Sequence, residues 1–132
     1  MKVVRSSKFR NVFGTAPKKE HAYDGVKVSR SAWDSNKIKV NPKFIAVMWE
    51  ASGGGAVGVV PLEMQGKISP SLPLITGHKA EVLDIDFNPY NDNLLASASE
   101  DTYVKIWALP DGGLKESLTT PAQTLSGHRR KV

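Results

Sequence analysis

Apolar and polar residues alternate in part from Val82 to Phe87, and the run closes on Asn88-Pro89-Tyr90-Asn91-Asp92-Asn93, six residues that favour turns. A strand followed by a turn is the expectation. Leu94 to Ser99 then reads as a second short strand, Glu100-Asp101-Thr102 as a turn, residues 103–109 as a third strand and Pro110-Asp111-Gly112-Gly113 as its breaker. Gln123-Thr124-Leu125 supplies a fourth. Upstream the same order recurs with weaker marks, as strands over 26–32, 44–50, 56–62 and 74–76. Phe44-Ile45-Ala46-Val47-Met48-Trp49 is apolar throughout, as a strand buried on both faces should be. Ala51-Ser52-Gly53-Gly54-Gly55 is the tight connection after it, and residues 66–73, rich in Gly, Ser and Pro, read as a loop. In the first twenty residues the apolar positions 3, 4, 9, 12 and 13 are too few and too mixed to define helix or strand.

The repeat gives these strands an architecture. Gly77-His78 returns as Gly127-His128 after fifty residues, and between the copies stand Ser97-Ala98-Ser99-Glu100-Asp101 and Val104-Lys105-Ile106-Trp107. A Gly-His opening, an Asp-containing turn and a late Trp make up the blade signature of WD-repeat proteins. The expected fold class is all-β: an incomplete β-propeller of WD-repeat type, with about two four-stranded antiparallel blades plus an N-terminal strand segment. Its expected parts are a basic N-terminal segment (1–20), a divergent first blade (21–76), a standard blade (77–126) and the start of a third (127–132). A propeller needs at least four blades of roughly 40 to 50 residues. The chain therefore reads as an N-terminal fragment or a truncated gene model. N-terminal segments of closed propellers commonly add a strand to the last blade, and part of 6–13 is expected in that role.

Charge separates the two ends. Residues 1–43 carry eleven basic side chains against three acidic ones, an excess of eight, whereas the other 89 residues carry seven against ten. Such asymmetry points to an anionic partner for the basic end, whether nucleic acid, an acidic membrane surface or an acidic protein polymer. The plain alternative is a solvated basic segment with no partner. No apolar run reaches the length of a membrane span, and no apolar stretch follows the first residues as a secretory signal would require. With cysteine absent, disulfides and thiolate zinc sites are excluded. A soluble intracellular protein is the expectation.

Four residues invite chemistry. His78, Ser97, Asp101 and Trp107 stand where WD repeats place a hydrogen-bonded chain, which would satisfy a buried indole donor and a buried carboxylate together. A Ser-His-Asp triad is the sharper alternative, but that structural network already accounts for all three types; Ser99 competes with Ser97 for the hydroxyl role. Gly53-Gly54-Gly55 lacks the following Lys-Ser or Lys-Thr of a phosphate loop and reads as a hairpin turn. His21, His78 and His128 are too scattered for a metal site, and Asp84 and Asp86 read as blade-surface groups before a general acid or base. No metal, cofactor or catalytic residue is expected. Arg5, Lys8 and Arg10 interleave with Phe9 and Phe13, a mixture suited to gripping an anionic surface; on a strand over 26–32, Lys27 and Arg30 would leave at least one basic group at the blade edge.

The strings Val4-Arg5-Ser6-Ser7-Lys8-Phe9-Arg10-Asn11-Val12-Phe13-Gly14, Asn41-Pro42-Lys43-Phe44, Glu50-Ala51-Ser52-Gly53-Gly54-Gly55-Ala56, Asn91-Asp92-Asn93 and Ser97-Ala98-Ser99-Glu100-Asp101 closely resemble the start of coronins, the actin-binding WD-repeat proteins. The resemblance spans the chain. It implies a seven-bladed propeller in the full-length protein, binding to filamentous actin, regulation of the actin-related-protein nucleating complex, and a place in the cytoplasm at the actin cytoskeleton. It associates filament contact with a basic surface matched here by Arg5, Lys8, Arg10, Lys27 and Arg30. Lys27 stands where many members carry Arg, which keeps the charge without the bidentate fork. Ala108 follows Trp107 where the generic repeat has Asp, a departure coronins tolerate. On this reading the partner is actin rather than nucleic acid, with contact to acidic membrane lipid left open. The alternative is a generic WD-repeat scaffold with a basic anion-binding N-terminus.

Overall fold

The computed structural model describes residues 13–32 and 34–132. Part of the segment 6–13, expected to seal a ring, lies outside them. Among the described residues a short 3-10 turn at Lys19–His21 precedes ten strands: β1 (Tyr23–Asp24), β2 (Ile38–Val40), β3 (Phe44–Trp49), β4 (Ala56–Pro61), β5 (Gly66–Lys67), β6 (Leu74–Ile75), β7 (Val82–Phe87), β8 (Leu94–Ser99), β9 (Val104–Ala108) and β10 (Gln123–Leu125). Two antiparallel four-stranded sheets, ordered β2-β3-β4-β6 and β7-β8-β9-β10, form successive blades of an incomplete WD-type propeller.

Alternation along β3 assigns its residues to two cores. Phe44, Ala46 and Met48 join Val57, Val59 and Ile75 and meet Val82, Ile85, Leu95, Trp107 and Leu109 of the second blade. Ile45, Val47 and Trp49 turn the other way, into a second cluster with Val60 and Ile68, covered by Tyr23, Val26, Leu62, Leu72 and Leu74. All six residues of β3 are therefore buried, which accounts for its unbroken apolar run.

The first blade departs from expectation at two places. Residues 26–32 do not form its innermost strand; β2 does, pairing Ile38 with Val47, Lys39 with Ala46 and Val40 with Ile45. The 26–32 segment touches the same edge further along, through a single antiparallel bridge between Val28 and Trp49. The edge of β3 is shared: β2 takes residues 45–47, and the earlier segment is left with the positions beyond. Lys37, at φ 59, makes the break between the two stretches. The expected loop at 66–73 contains β5, which pairs in parallel with β1. That pairing places Ile68 in the second core.

The blades are also tied by polar groups. Ser35 donates to Asp84 Oδ1 at 3.1 Å, and Lys39 Nζ lies 3.6 Å from Asp86 Oδ2, so both aspartates face the first blade. At another junction Lys43 Nζ donates to Asn93 Oδ1 at 2.8 Å and to Asp111 Oδ1 at 3.3 Å. The hydrogen bond from the Asn93 amide, followed by the hydrogen bond and charge of Lys43, holds the Asp111 carboxyl below its usual range.

Candidate functional site

The second blade buries a linear polar chain. Asp101 sits in the turn after β8, and its Oδ2 accepts from His78 Nδ1 at 2.9 Å and from the Lys79 amide at 3.0 Å. His78 Nε2 lies 2.7 Å from Ser97 Oγ, which also accepts from Trp107 Nε1 at 2.8 Å. A histidine tautomer with its hydrogen on Nδ1 satisfies every member: imidazole donates to carboxylate, the serine hydroxyl donates to Nε2, and indole donates to the hydroxyl oxygen. Burial alone would push the Asp101 carboxyl up, but the hydrogen bonds from Lys79, His78 and Tyr103 outweigh it and hold it below the usual range.

The order Asp-His-Ser is that of a hydrolytic triad, yet the serine is closed off. Ser97 is 1% exposed, and its oxygen is already engaged by the Trp107 indole, so no electrophile can approach it. Ser99 has separate duties, donating to the Ala80 carbonyl and accepting from the Asp101 amide. Gly53 to Gly55 end the connection from β3 to β4. His21 bonds Gln65, and no metal-holding cluster occurs among the described residues.

The other constellation is basic and exposed. Of the five basic residues singled out for anion contact, Arg5, Lys8 and Arg10 lie outside the described residues; Lys27 and Arg30 share one short extended segment. The segment is pinned to the end of β3 by Ser29 N–H to the Met48 carbonyl at 2.8 Å and Glu50 N–H to the Lys27 carbonyl at 2.9 Å. Lys27 is exposed. The Arg30 side chain is 87% exposed, with its Nε 3.3 Å from Glu50 Oε2. A cleft of about 270 Å³ opens beside it between Ser29–Ser31, Trp49–Glu50, Gly54–Gly55 and Glu81.

A third basic residue contacts the same segment. Lys37 turns its ammonium back on this segment, donating to the carbonyls of Ser29 and Ser31 at 3.3 and 2.5 Å. Nothing in the order Ser35-Asn36-Lys37-Ile38 marks such a contact, because it depends on a left-handed backbone at Lys37.

Residues 2–67 match the family described as Domain of unknown function (DUF1899), half of the chain, and residues 70–108 match the WD domain, G-beta repeat. Coronin-A of Dictyostelium discoideum is 55% identical over 124 residues, covering 94% of this chain and 28% of its own. Coronin-2B of Mus musculus is 48% identical over 123 residues, covering 93% and 26%. The coronin-like protein of Saccharomyces cerevisiae is 49% identical over 140 residues, covering 99% and 22%. The crystal structure of the WD40 domain from Toxoplasma gondii coronin superposes with a TM-score of 0.77 at 34% identity, covering 85% of this chain and 29% of that one. The chain thus spans about a quarter of the length of these relatives. Two successive WD-type blades, a leading segment of the matched family and these likenesses converge: the chain belongs to the coronin family.

Proposed function

We propose that this chain supplies basic residues, Lys27 and Arg30 on one exposed segment together with Arg5, Lys8 and Arg10 of the N-terminal sequence, to the binding of actin filaments in the cytoplasm, and so takes part in organising the actin cytoskeleton. The observation that carries this reading is the pinned segment: two exposed cations three residues apart on a backbone fastened to β3, within the third of the chain that holds its positive excess. A filament is an extended acidic surface, so a fixed basic edge gains both attraction and orientation from it. The family resemblance supports actin over other polyanions. His78, Ser97, Asp101 and Trp107 serve only the blade, and no catalysis is assigned.

Cosedimentation of the complete gene product with filamentous actin across a salt series tests the reading. Binding should weaken as salt rises, because exposed charges are screened within about 10 Å at 0.1 M. Charge reversal at Arg5, Lys8, Lys27 and Arg30 together should cost at least about tenfold in affinity; unchanged binding sinks the assignment. Recovery of RNA or anionic lipid without actin, in a pull-down from cell extract, would favour a general scaffold instead.

A further inference from the structure

We infer that Lys37 is a positioning residue for Arg30: its ammonium clasps the two carbonyls that flank Arg30 and so sets where that guanidinium is presented. The inference rests on the basic-face reading above and adds a residue to it that need not touch the partner.

Arg30 lies just past the last hydrogen bond that, among the described residues, ties its segment to β3. The last pinning hydrogen bond before it is from Ser29 N–H to the Met48 carbonyl, and the Ser31 N–H donates to the Ser29 hydroxyl oxygen at 3.2 Å rather than to a strand. Among the described residues the segment's bridge to the sheet is the one at Val28, behind Arg30 in the chain. Lys37 supplies what the ladder does not. Its Nζ donates to Ser29 O and Ser31 O, one on each side of Arg30, so the peptide carrying the guanidinium is held at both ends by one cation. Charge-assisted hydrogen bonds of this kind are roughly twice as strong as neutral ones.

Lys37 is itself firmly placed. Its amide donates to Ser35 Oγ at 3.2 Å, and its carbonyl accepts from the Met48 amide at 2.9 Å. Met48 therefore bonds Lys37 through its N–H and Ser29 through its carbonyl, and one residue of β3 anchors both the clasp and the segment it clasps. A left-handed φ of 59 at Lys37 is uncommon outside glycine, asparagine and aspartate; here it starts β2 at Ile38 with the side chain directed back to 29–31. Lys37 is half-buried and Arg30 exposed, which separates the residue that holds from the residue that reaches out.

Filament cosedimentation of the complete gene product with Lys37→Asn, Arg30→Ala and the double variant tests the inference, with the urea midpoint of each recorded. Asparagine tolerates the left-handed backbone and is too short to reach the carbonyls, so Lys37→Asn removes the clasp without straining the turn. Lys37→Asn is expected to weaken binding about three- to tenfold with its midpoint kept, and Lys37→Arg to retain most of it. In the Arg30→Ala background the further change to Asn should have no effect, because a positioning residue has nothing left to position. If Arg30→Ala weakens binding and Lys37→Asn does not, the clasp is overturned while the basic face stands. Losses that multiply in the double variant make Lys37 a separate contact or a general fold residue and overturn it equally. If Arg30→Ala itself leaves binding unchanged, the role of Arg30 in the basic face fails, and the inference with it.

Discussion

Gly77 has no room for a side chain. A methyl built on it would lie 2.5 Å from the Thr119 carbonyl oxygen and 2.6 Å from Trp107 Cη2, and Trp107 cannot yield because its indole nitrogen is held by Ser97. The Gly of the Gly-His pair is thus required by a close approach; its φ is not among the positive ones. Gly77→Ala should destabilise the fold by about 1–3 kcal/mol through overpacking, read as a lower urea midpoint; an unchanged midpoint would refute the packing argument. Asp101 makes a pH-dependent contribution. Its carboxyl lies below its ordinary value in the folded chain, so its stabilisation is fully present above the unfolded value of about 3.9 and is lost as pH falls through the lower folded value. Asp101→Asn should therefore cost about 1–3 kcal/mol near neutrality. Urea melts repeated at decreasing pH should show the two proteins converging below about pH 4, and a gap that stays constant would contradict the account.

Among elements, legibility follows the length of each pattern and the number of faces it buries. The stretch 44–49 was readable because both faces of β3 lie in core, so every position is apolar. The second blade was readable because the Gly-His, Asp and Trp marks are members of one hydrogen-bonded chain, each constrained by the others. β2 is three residues long, and Ile38 and Val40 are both largely exposed, so it carries no inward signal to set against the longer alternation of 26–32. β5 is shorter still and takes its partner from 43 residues upstream, which local periodicity does not register. At the candidate site the charges themselves were legible, being composition. The Glu50 partner of Arg30 and the Lys37 clasp were not, since both arise only when β3, the 26–32 segment and the left-handed turn meet.

At the scale of the molecule, the two blades end in unequal outer edges. Beyond β6 the chain from the second blade returns and seals the first: Thr76 N–H donates to the Leu118 carbonyl, Leu118 N–H donates to Leu74, and Ile75 bridges Leu118 in parallel. β10 has the same place in the second blade, yet all three of its residues are exposed, and Leu125 is 43% exposed. A strand that no described residue covers, carrying an exposed apolar side chain, is a template for pairing with another chain. The polypeptide of these 132 residues, prepared by itself, should therefore unfold over a broad range of urea and associate as its concentration rises. Light scattering across a dilution series and urea melts at several concentrations measure both. A sharp transition independent of concentration would show that two blades suffice for a cooperative unit and that the β10 edge is harmless. The expected asymmetry is specific: Leu118→Pro removes the amide that seals β6 and should bring the first blade to the same exposed condition, adding to the association rather than leaving it unchanged.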